Sequence, residues 1–299
     1  MLPGMPERPP PNSRIAIIGA GNLAHALAAA LRTANYAIDE IVTRANAASI
    51  KRARTLAHEV RAAVTTIYRA RLRAEIVWFC VPDREIAGAA ESLSEVADWK
   101  GKVALHSSGA LTSDALEILR SQGAAVASVH PLMTFVRGSQ PSLKAVPFAI
   151  EGDPRAFRAA RTLVLKLRGE PFTIHKRCKE AYHAWGMFIS PLFIALLAAA
   201  ERVARAAGVS PREARKRMLP ILRQTLGNYE RMGAAQSFSG PIARGDIDTV
   251  NRHLKELGRA PAAREIYVAL ARLALRELPA KRRAEFLRIL GPTTAPGNR

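Results

Sequence analysis

A glycine-rich stretch near the start of the chain has the residue types and spacing of a phosphate-binding loop. Gly19, Gly21 and Ala24 follow the short β-branched run 15–18 directly. In such loops the first glycine makes a tight turn, the second lets the backbone approach a pyrophosphate, and the small third residue allows close helix packing. The helix that follows offers unpaired amides and its positive dipole end to phosphates. The residues predicted to bind a cofactor here are Gly19, Ala20, Gly21, Asn22 and Leu23.

The setting of this loop makes the pattern more specific than its six residues alone. A strand-like run precedes it, strong helix formers follow at 24–31, and a second strand-like run lies at 38–43. A glycine-rich turn without a ligand is the alternative. The strand, loop, helix and second strand in this order favour a dinucleotide site.

The end of the second predicted strand selects between the two common dinucleotides. Sites for NAD usually place an acidic residue there to hold the ribose hydroxyls. Here Arg44 occupies that place, whereas Asp39 and Glu40 lie at the start of the strand. An arginine can pair with a 2′-phosphate, with Lys51 or Arg52 as helpers. The sequence predicts NADP as the cofactor; an ordinary surface arginine is the alternative.

Three other predicted strands end in residues that could face the same ligand, because the carboxyl ends of parallel strands share one edge of a sheet. Val81 and Pro82 are predicted to bind the nicotinamide side of the cofactor, or else to form a strand cap with a turn. Ser107 and Ser108 are predicted to hydrogen-bond a substrate carboxylate or carbonyl. His130 precedes a proline and is predicted to close the pocket, although a structural role is the alternative.

Lys179, Tyr182 and His183 place three groups that can donate protons on one turn of a predicted helix. Reduction of a carbonyl or imine needs such a donor near the reacting atom. These residues are therefore the candidate catalytic groups, and which of them gives the proton is left open. A polar helix start before an apolar core helix is the alternative.

A turn late in the chain supplies the remaining candidates. Arg244 and Asp246 lie in a Gly-Pro and Arg-Gly-Asp turn that enters a helix, and His253 lies on that helix. Arg244 could hold a substrate carboxylate, so all three are predicted to bind substrate. Asp246 or Asp248 could instead simply cap the helix.

The order of the elements around these residues predicts the fold. Strand-like runs alternate with helix-length segments up to about His175, as a doubly wound sheet requires, and helical periods dominate afterwards. We predict an α/β chain, a Rossmann-type, doubly wound, mostly parallel sheet followed by an all-helical C-terminal domain. The predicted strands are 15–18, 38–43, 76–81, 103–106 and 126–130, with edge strands at 148–150 and 172–174. The predicted divisions are a disordered leader (1–13), a Rossmann domain (14–175), a helical domain (176–291) and a loose tail (292–299).

The composition excludes some classes of function. The formal net charge of +20 would attract phosphate-bearing partners. Its arginines are scattered along helices without interleaved aromatics or a recognisable reading motif, so a solvated surface is favoured over nucleic-acid binding. Cys80 and Cys178 lie too far apart for a redox or zinc motif, so no metal site is expected, and a reduced, cytoplasmic location fits best.

The apolar segment 184–200 carries no charged residue. Ser190 and Pro191 interrupt it, Glu201 and Arg202 follow at once, and a membrane span needs about 20 apolar residues. A helix that is apolar on all sides can equally be buried in protein. We therefore predict a buried core helix or a dimer-interface helix and no membrane contact.

Together these motifs resemble a known family. The first domain is similar to the NADP-binding domain of pyrroline-5-carboxylate reductases and coenzyme F420-dependent NADP reductases. From about Arg14 to Leu290 the chain resembles bacterial proteins in which a Rossmann-like oxidoreductase domain precedes a domain of unknown function, DUF2520. Besides the glycine loop, the matching pieces are 81–83, 106–109, 130–132 with Phe135, Lys179 with 182–183, and 240–246 with His253.

The resemblance implies an NADP-type Rossmann domain and a helical domain that commonly builds a homodimer. The chain departs from the family at Ser190, near which we expect asparagine. The leading hypothesis is an NADP-dependent oxidoreductase that holds a small carbonyl or imine, or its alcohol or amine, between the two domains. The alternative is a catalytically silent NADP-binding sensor or scaffold.

Overall fold

The computed structural model describes residues 14–291. The leader and the tail expected at 1–13 and 292–299 lie outside the described residues. The chain forms two compact units, and the boundary between them falls between Phe188 and Ile189. The division at 175/176 stays a prediction, although the alternation of strands and helices does end with a strand at Glu170–Thr173.

The N-terminal unit is built on one eight-stranded sheet. Its strands are β1 (Arg14–Ile18), β2 (Ala37–Thr43), β3 (Ala63–Thr66), β4 (Ile76–Phe79), β5 (Val103–His106), β6 (Ala125–Pro131), β7 (Pro147–Gly152) and β8 (Glu170–Thr173). Their order in the sheet is β3-β2-β1-β4-β5-β6-β7-β8. Neighbouring strands are parallel except β6 and β7, which pair antiparallel. This is the predicted doubly wound, mostly parallel sheet.

Helices cover both faces of this sheet. They are α1 (Asn22–Thr33), α2 (Ala47–Val60), α3 (Asp83–Ser94), α4 (Glu117–Ser121), α5 (Pro154–Lys166) and α6 (Lys179–Ile189). Alternate residues of β1 enter two separate cores: Ile15 and Ile17 pack with α1, α2 and α5, whereas Ala16 and Ile18 pack with α3 and α4. Burial on both faces explains why β1 is apolar from Ile15 to Ile18.

The sheet reverses its direction of winding at β1, whose two neighbours are β2 and β4. Ligands of open α/β sheets bind in the crevice outside the carboxyl ends of the strands at such a point. The glycine loop follows β1 directly and therefore lies in this crevice.

Two features of the sheet differ from the sequence-based expectation. The prediction of an edge strand at 148–150 is wrong, because β7 is hydrogen-bonded to β6 and to β8. Pro147 is tolerated as the first residue of β7, since the missing N–H falls at the start of the strand. The edges are β8 and β3, and β3 was not predicted.

The C-terminal unit is helical in all its described elements. Its helices are α7 (Pro191–Ala206), α8 (Pro211–Ser237), α9 (Pro241–Arg244), α10 (Ile247–Glu256), α11 (Pro261–Glu277) and α12 (Arg283–Ile289). A small core joins α10, α11 and α12 through Val250, Val268 and Phe286. Ser190 has non-helical dihedral angles and separates α7 from α6, where one helix was expected.

The apolar segment around Ser190 is exposed, so of the two predicted alternatives the buried core helix is wrong, whereas the dimer-interface helix stays a prediction. Side chains such as Phe188 and Ile194 are 70% and 61% exposed. Among the described residues, Lys176–Ala206 is the one stretch long and apolar enough to cross a membrane by length and composition. One such stretch is weak evidence for a span, and the break at Ser190 interrupts it.

Candidate active site

Gly19 allows the chain to turn tightly after β1. Its φ of +105° lies in the region that side chains other than glycine rarely adopt. A Cβ at this position would lie 2.6 Å from the backbone oxygen of Cys80, which follows the neighbouring strand β4. Both the dihedral angle and the close packing therefore require glycine.

Gly21 differs, because no atom of the protein requires it to be glycine. Its φ is −83°, and a Cβ there would meet no atom nearer than the Cys80 oxygen at 4.0 Å. It precedes α1, whose N-terminus has no side-chain cap. The space in front of Gly21 is thus open to a ligand that approaches the backbone and the free end of the helix.

A cavity of about 1580 Å³ opens at this point of the sheet. Seven of the eight predicted cofactor residues line it, namely Gly19, Ala20, Gly21, Asn22, Arg44, Val81 and Pro82. Leu23 does not line the cavity, because its side chain packs against the core beneath α1. The ends of β1, β2 and β4, which the sequence selected separately, therefore share one cavity, whereas Ser107, Ser108 and His130 do not line it.

The part of the cavity at the end of β2 is basic. Arg44, Lys51 and Arg52 line it, and Asn46 caps the N-terminus of α2 by accepting a hydrogen bond from the Ser49 amide. Arg44 forms an ion pair with Glu85, with 3.0 Å between Nη1 and Oε1. Three cations against one carboxylate suit a phosphate group better than ribose hydroxyls alone.

A second cluster of polar side chains lies where α6 packs against the ends of β5 and β6. Lys179 is 1% exposed. Its Nζ donates hydrogen bonds to the backbone oxygen of Ser108 at 2.7 Å and to Oγ of Ser128 at 2.6 Å. Burial lowers the pKa of Lys179 to about 8, against the opposing effect of the carboxylates of Glu151 and Asp83.

Ser108 uses all the hydrogen-bonding capacity of its hydroxyl within the protein. Its Oγ donates to Asp83 at 2.7 Å and accepts from the amides of Ala110 and Leu111. Ser107 retains more freedom, since its Oγ accepts from Trp78 at 2.8 Å and has Cys80 as a second side-chain partner, which leaves one position of the hydroxyl unused. Of the two serines, only Ser107 keeps unused capacity for the predicted contact with substrate.

Tyr182 and His130 form a hydrogen-bonded pair. The Tyr182 hydroxyl lies 2.8 Å from Nδ1 of His130, and the two rings meet edge to face. Burial raises the pKa of Tyr182 to about 12. Burial, followed by the charges of Lys179 and His183, lowers the pKa of His130 to about 4. Both groups are therefore neutral at neutral pH.

His183 lies beside this pair and is less buried than Tyr182. A Cβ added to Gly109 would lie 2.8 Å from Cδ2 of His183 and 2.9 Å from Nε2 of His130. Gly109 therefore makes room for the two imidazoles to approach the same point. The structure brings the three candidate catalytic residues together with His130 and Ser108.

The three candidates in the C-terminal unit have contacts of their own. Asp246 caps α10 by accepting a hydrogen bond from the Thr249 amide at 3.0 Å, as the capping alternative predicted. Nδ1 of His253 lies 3.1 Å from the hydroxyl of Tyr267. Arg244 ends the short helix α9. A contact of these residues with substrate stays a prediction.

Comparison with family models divides the sequence into two matches. Residues 6–131 match the model described as a Rossmann-like domain, and residues 146–274 match the model of the domain of unknown function DUF2520. The chain is therefore similar to a Rossmann-like domain over its first part and to a DUF2520 domain over its second part. The search of curated proteins finds no match.

Solved structures share the fold over most of the chain. A Bacteroides fragilis protein proposed to be an NADP oxidoreductase is 22% identical, with a TM-score of 0.74, and the match covers 88% of this chain and 97% of that one. A reductive aminase from Aspergillus terreus in complex with NADPH is 15% identical, with a TM-score of 0.62 and coverages of 94% and 100%. A pyrroline-5-carboxylate reductase from Coxiella burnetii is 15% identical, with a TM-score of 0.58 and coverages of 94% and 100%.

The polar cluster draws on both family matches. Ser108, Ser128 and His130 belong to the Rossmann-like match, whereas Lys179 and Tyr182 belong to the DUF2520 match. All of them lie within the N-terminal compact unit. The first part of the DUF2520 match therefore adds Lys179 and Tyr182 to the polar cluster beside the sheet.

Several residues of the two sites were not selected from the sequence. Ser128 and Glu151 are polar residues inside buried strands. A polar residue within a mostly apolar strand was the signal in the sequence by which they could have been selected. Glu151 accepts hydrogen bonds from the amide and hydroxyl of Ser113. His106 donates through Nε2 to the Thr112 oxygen and accepts the Ser108 amide at Nδ1, which fixes the turn after β5.

Among the residues that the structure describes, no group of three or more His, Cys, Asp or Glu could hold a metal ion.

Proposed function

We propose that the chain is an NADP(H)-dependent oxidoreductase that acts on a small carbonyl or imine compound, or on the corresponding alcohol or amine. The observation that carries this proposal is the single cavity that joins the glycine loop, Arg44 and the pair Val81–Pro82. The fold that this chain shares with a reductive aminase in complex with NADPH also supports the proposal.

The residues that line the cavity fit this cofactor. Gly21 and the uncapped N-terminus of α1 suit a pyrophosphate, because backbone amides and the helix dipole both favour negative charge. Arg44, with Lys51 and Arg52, suits a 2′-phosphate. Bound in this cavity, the nicotinamide would supply the hydride chemistry, and the protein would supply orientation and protons.

Tyr182 is our candidate for the group that protonates the reacting oxygen or nitrogen. Its raised pKa keeps the hydroxyl protonated at neutral pH, so it can donate. In the tautomer that carries its proton on Nδ1, His130 donates to the Tyr182 oxygen, so it can replace the proton that Tyr182 gives up across the 2.8 Å hydrogen bond. Nε2 of His130 then takes up a proton from the side that His183 occupies, so His130 remains neutral overall.

Lys179 acts in this proposal as a positioning residue. Its ammonium is buried and bonded to Ser108 and Ser128, so it holds the turn after β5 against β6. His130 lies on β6, close to that turn. The cation thereby holds the end of β5 beside the end of β6, which carries His130.

The test is turnover of NADPH with a panel of small aldehydes, ketones and cyclic imines, compared between wild type and Tyr182→Phe. We expect oxidation of NADPH by wild type with at least one compound, and a large loss in the variant. NADPH binding should be the same in both proteins, because Tyr182 lies outside the cofactor cavity. Absence of turnover over the whole panel, with binding intact, would favour a different function.

That different function is a catalytically silent NADP-binding sensor or scaffold. In its favour, two of the candidate catalytic groups are already hydrogen-bonded to other groups of the protein. The Lys179 ammonium is buried, and the Tyr182 hydroxyl already has a partner. A sensor predicts NADPH binding that is unaffected by Tyr182→Phe, without oxidation of any compound.

We also propose that the chain forms a homodimer through its helical unit. α7 and α8 expose large apolar side chains, among them Ile194, Ile221 and Tyr229, which are 61%, 67% and 60% exposed. Exposed apolar surface of this kind marks an interface. A second copy is the occupant that the resemblance to DUF2520 proteins implies. A cytoplasmic location stays a prediction that rests on the cysteine content.

A further inference from the structure

The loop after β6 forms a wall of the cofactor cavity that the glycine loop and α2 do not provide. Arg137, Gly138, Ser139 and Gln140 line the cavity together with Gly21. Gly138 has a φ of +79°, so the chain turns sharply within this loop. We call residues 135–140 the β6 loop.

The β6 loop is fixed to the glycine loop by one hydrogen bond. Nδ2 of Asn22 donates to the backbone oxygen of Phe135 at 3.1 Å. Asn22 is the first residue of α1. Because two residues of chain span at most about 7 Å, the backbone of Arg137 lies close to the N-terminus of α1.

Arg137 is a cation without a partner in the described part of the chain. Its side chain is exposed and makes no ion pair there, whereas Arg44 is paired with Glu85. Glu85 is the one acidic residue among the described residues that line the cavity, against the four cations Arg44, Lys51, Arg52 and Arg137. The cavity therefore carries an excess of positive charge, part of which lies in the β6 loop.

We propose that Arg137 binds the pyrophosphate of the dinucleotide, whereas Arg44 binds its 2′-phosphate. This assignment rests on the proposed function, since it assumes a dinucleotide in the cavity. The tether through Asn22 carries it, because that bond holds the β6 loop at the end of α1 where the pyrophosphate is expected. Arg44 lies instead at the end of β2, beside the ribose site of such folds.

The two assignments predict different patterns of affinity, which calorimetric titration can separate. Wild type, Arg137→Ala and Arg44→Ala are each titrated with NADPH, NADH and ADP-ribose. The pyrophosphate is common to all three ligands, so Arg137→Ala should weaken each of them by a similar factor of roughly ten. The 2′-phosphate is present in NADPH only, so Arg44→Ala should weaken NADPH selectively.

Two further variants control for general effects. Arg161→Ala removes an exposed arginine of α5 outside the cavity and should leave all three affinities unchanged. Asn22→Ala removes the tether and should weaken the ligands less than Arg137→Ala does. A variant that combines Asn22→Ala with Arg137→Ala should bind the three ligands as Arg137→Ala alone does. The reason is that the hydrogen bond of Asn22 affects binding by holding Arg137 in place.

The outcomes separate this assignment from the proposed function. Wild type that binds the ligands while Arg137→Ala binds them equally well overturns the assignment alone. Selective loss of NADPH in Arg137→Ala also overturns it, because Arg137 would then contact the 2′-phosphate. Wild type that binds none of the three ligands overturns the proposed function and the assignment together.

Discussion

The hydroxyl of Tyr182 lies 2.8 Å from Nδ1 of His130, and this hydrogen bond joins α6 to the end of β6. It places two neutral, proton-carrying groups at the edge of the sheet where the cofactor cavity opens. Lys179, one turn earlier on α6, is bonded to the same region through Ser108 and Ser128. We therefore assign proton donation to Tyr182 and positioning to Lys179, two residues of the same helix.

Tyr182→Phe tests proton donation directly. The change removes one hydroxyl, and loss of a general acid costs about 10²- to 10⁴-fold in rate. We expect kcat to fall by that factor while the affinity for NADPH is unchanged. Tyr36→Phe is the matched control, since Tyr36 packs against the core away from the polar cluster. An undiminished kcat in Tyr182→Phe would assign the proton to another group.

Gly19 and Gly21 should respond differently to the same substitution. Gly19→Ala would place a Cβ 2.6 Å from the Cys80 oxygen at a φ of +105°, so unfolding should become easier by about 1–3 kcal/mol or more. Gly21→Ala brings its Cβ no nearer than 4.0 Å to any protein atom and should cost less than about 1 kcal/mol. Its NADPH affinity should nevertheless fall, because the methyl group enters the ligand's space.

Thermal unfolding and NADPH titration of both variants provide the measurement. A Gly21→Ala protein that is stable and binds NADPH as tightly as wild type would show that no ligand approaches the backbone at this position.

Lys179→Met should change how stability depends on pH. The folded pKa of Lys179 is lowered from 10.5 to about 8, so the unfolded chain binds more protons between these values. Relative to the methionine variant, wild type should therefore gain stability as the pH rises from about 8 to about 10.5. The gain is on the order of 3 kcal/mol at most.

Urea unfolding of both proteins at several pH values in this range measures the difference. Lys166→Met, at an exposed position of α5, controls for the removal of one charge. A difference between wild type and Lys179→Met that stays constant with pH would mean that Lys179 is not a buried cation.

Ile221→Glu tests the proposed homodimer. Ile221 is 67% exposed on α8, and a charge there cannot be buried against a second copy without a large cost. Light scattering after size-exclusion chromatography should give twice the chain mass of 32.4 kDa for wild type and the single mass for the variant. Wild type that elutes as a monomer at all concentrations would exclude the dimer.

The sequence predicted the sheet well where strands are buried on both faces. β1 is apolar from Ile15 to Ile18 and β5 from Val103 to Leu105, and such runs need no knowledge of the rest of the fold. β3 was missed because Ala63–Thr66 is short and half polar, and it becomes a strand only by pairing with β2. The antiparallel direction of β7 depends on the path of its connection, which leaves no mark on its residues.

The candidate sites show the same division between local and distant information. Arg44 and Val81 could be selected because they lie at the ends of predicted strands, and parallel strands end at one edge. Ser128 was missed because its role depends on Lys179, which approaches it from α6. Arg137 lies beyond the end of β6, and its place at the cavity depends on how its loop folds back toward the glycine loop, where Asn22 bonds to Phe135.

The central claim is a dinucleotide site that prefers NADPH, and its most direct test is a titration of NADPH and NADH against wild type and Arg44→Ala. We predict that wild type binds NADPH at least about tenfold more tightly than NADH, because Arg44 contributes a charge-assisted contact to the 2′-phosphate. Arg44→Ala should lose this preference by weakening NADPH alone. Equal affinity of wild type for both dinucleotides would contradict the claim.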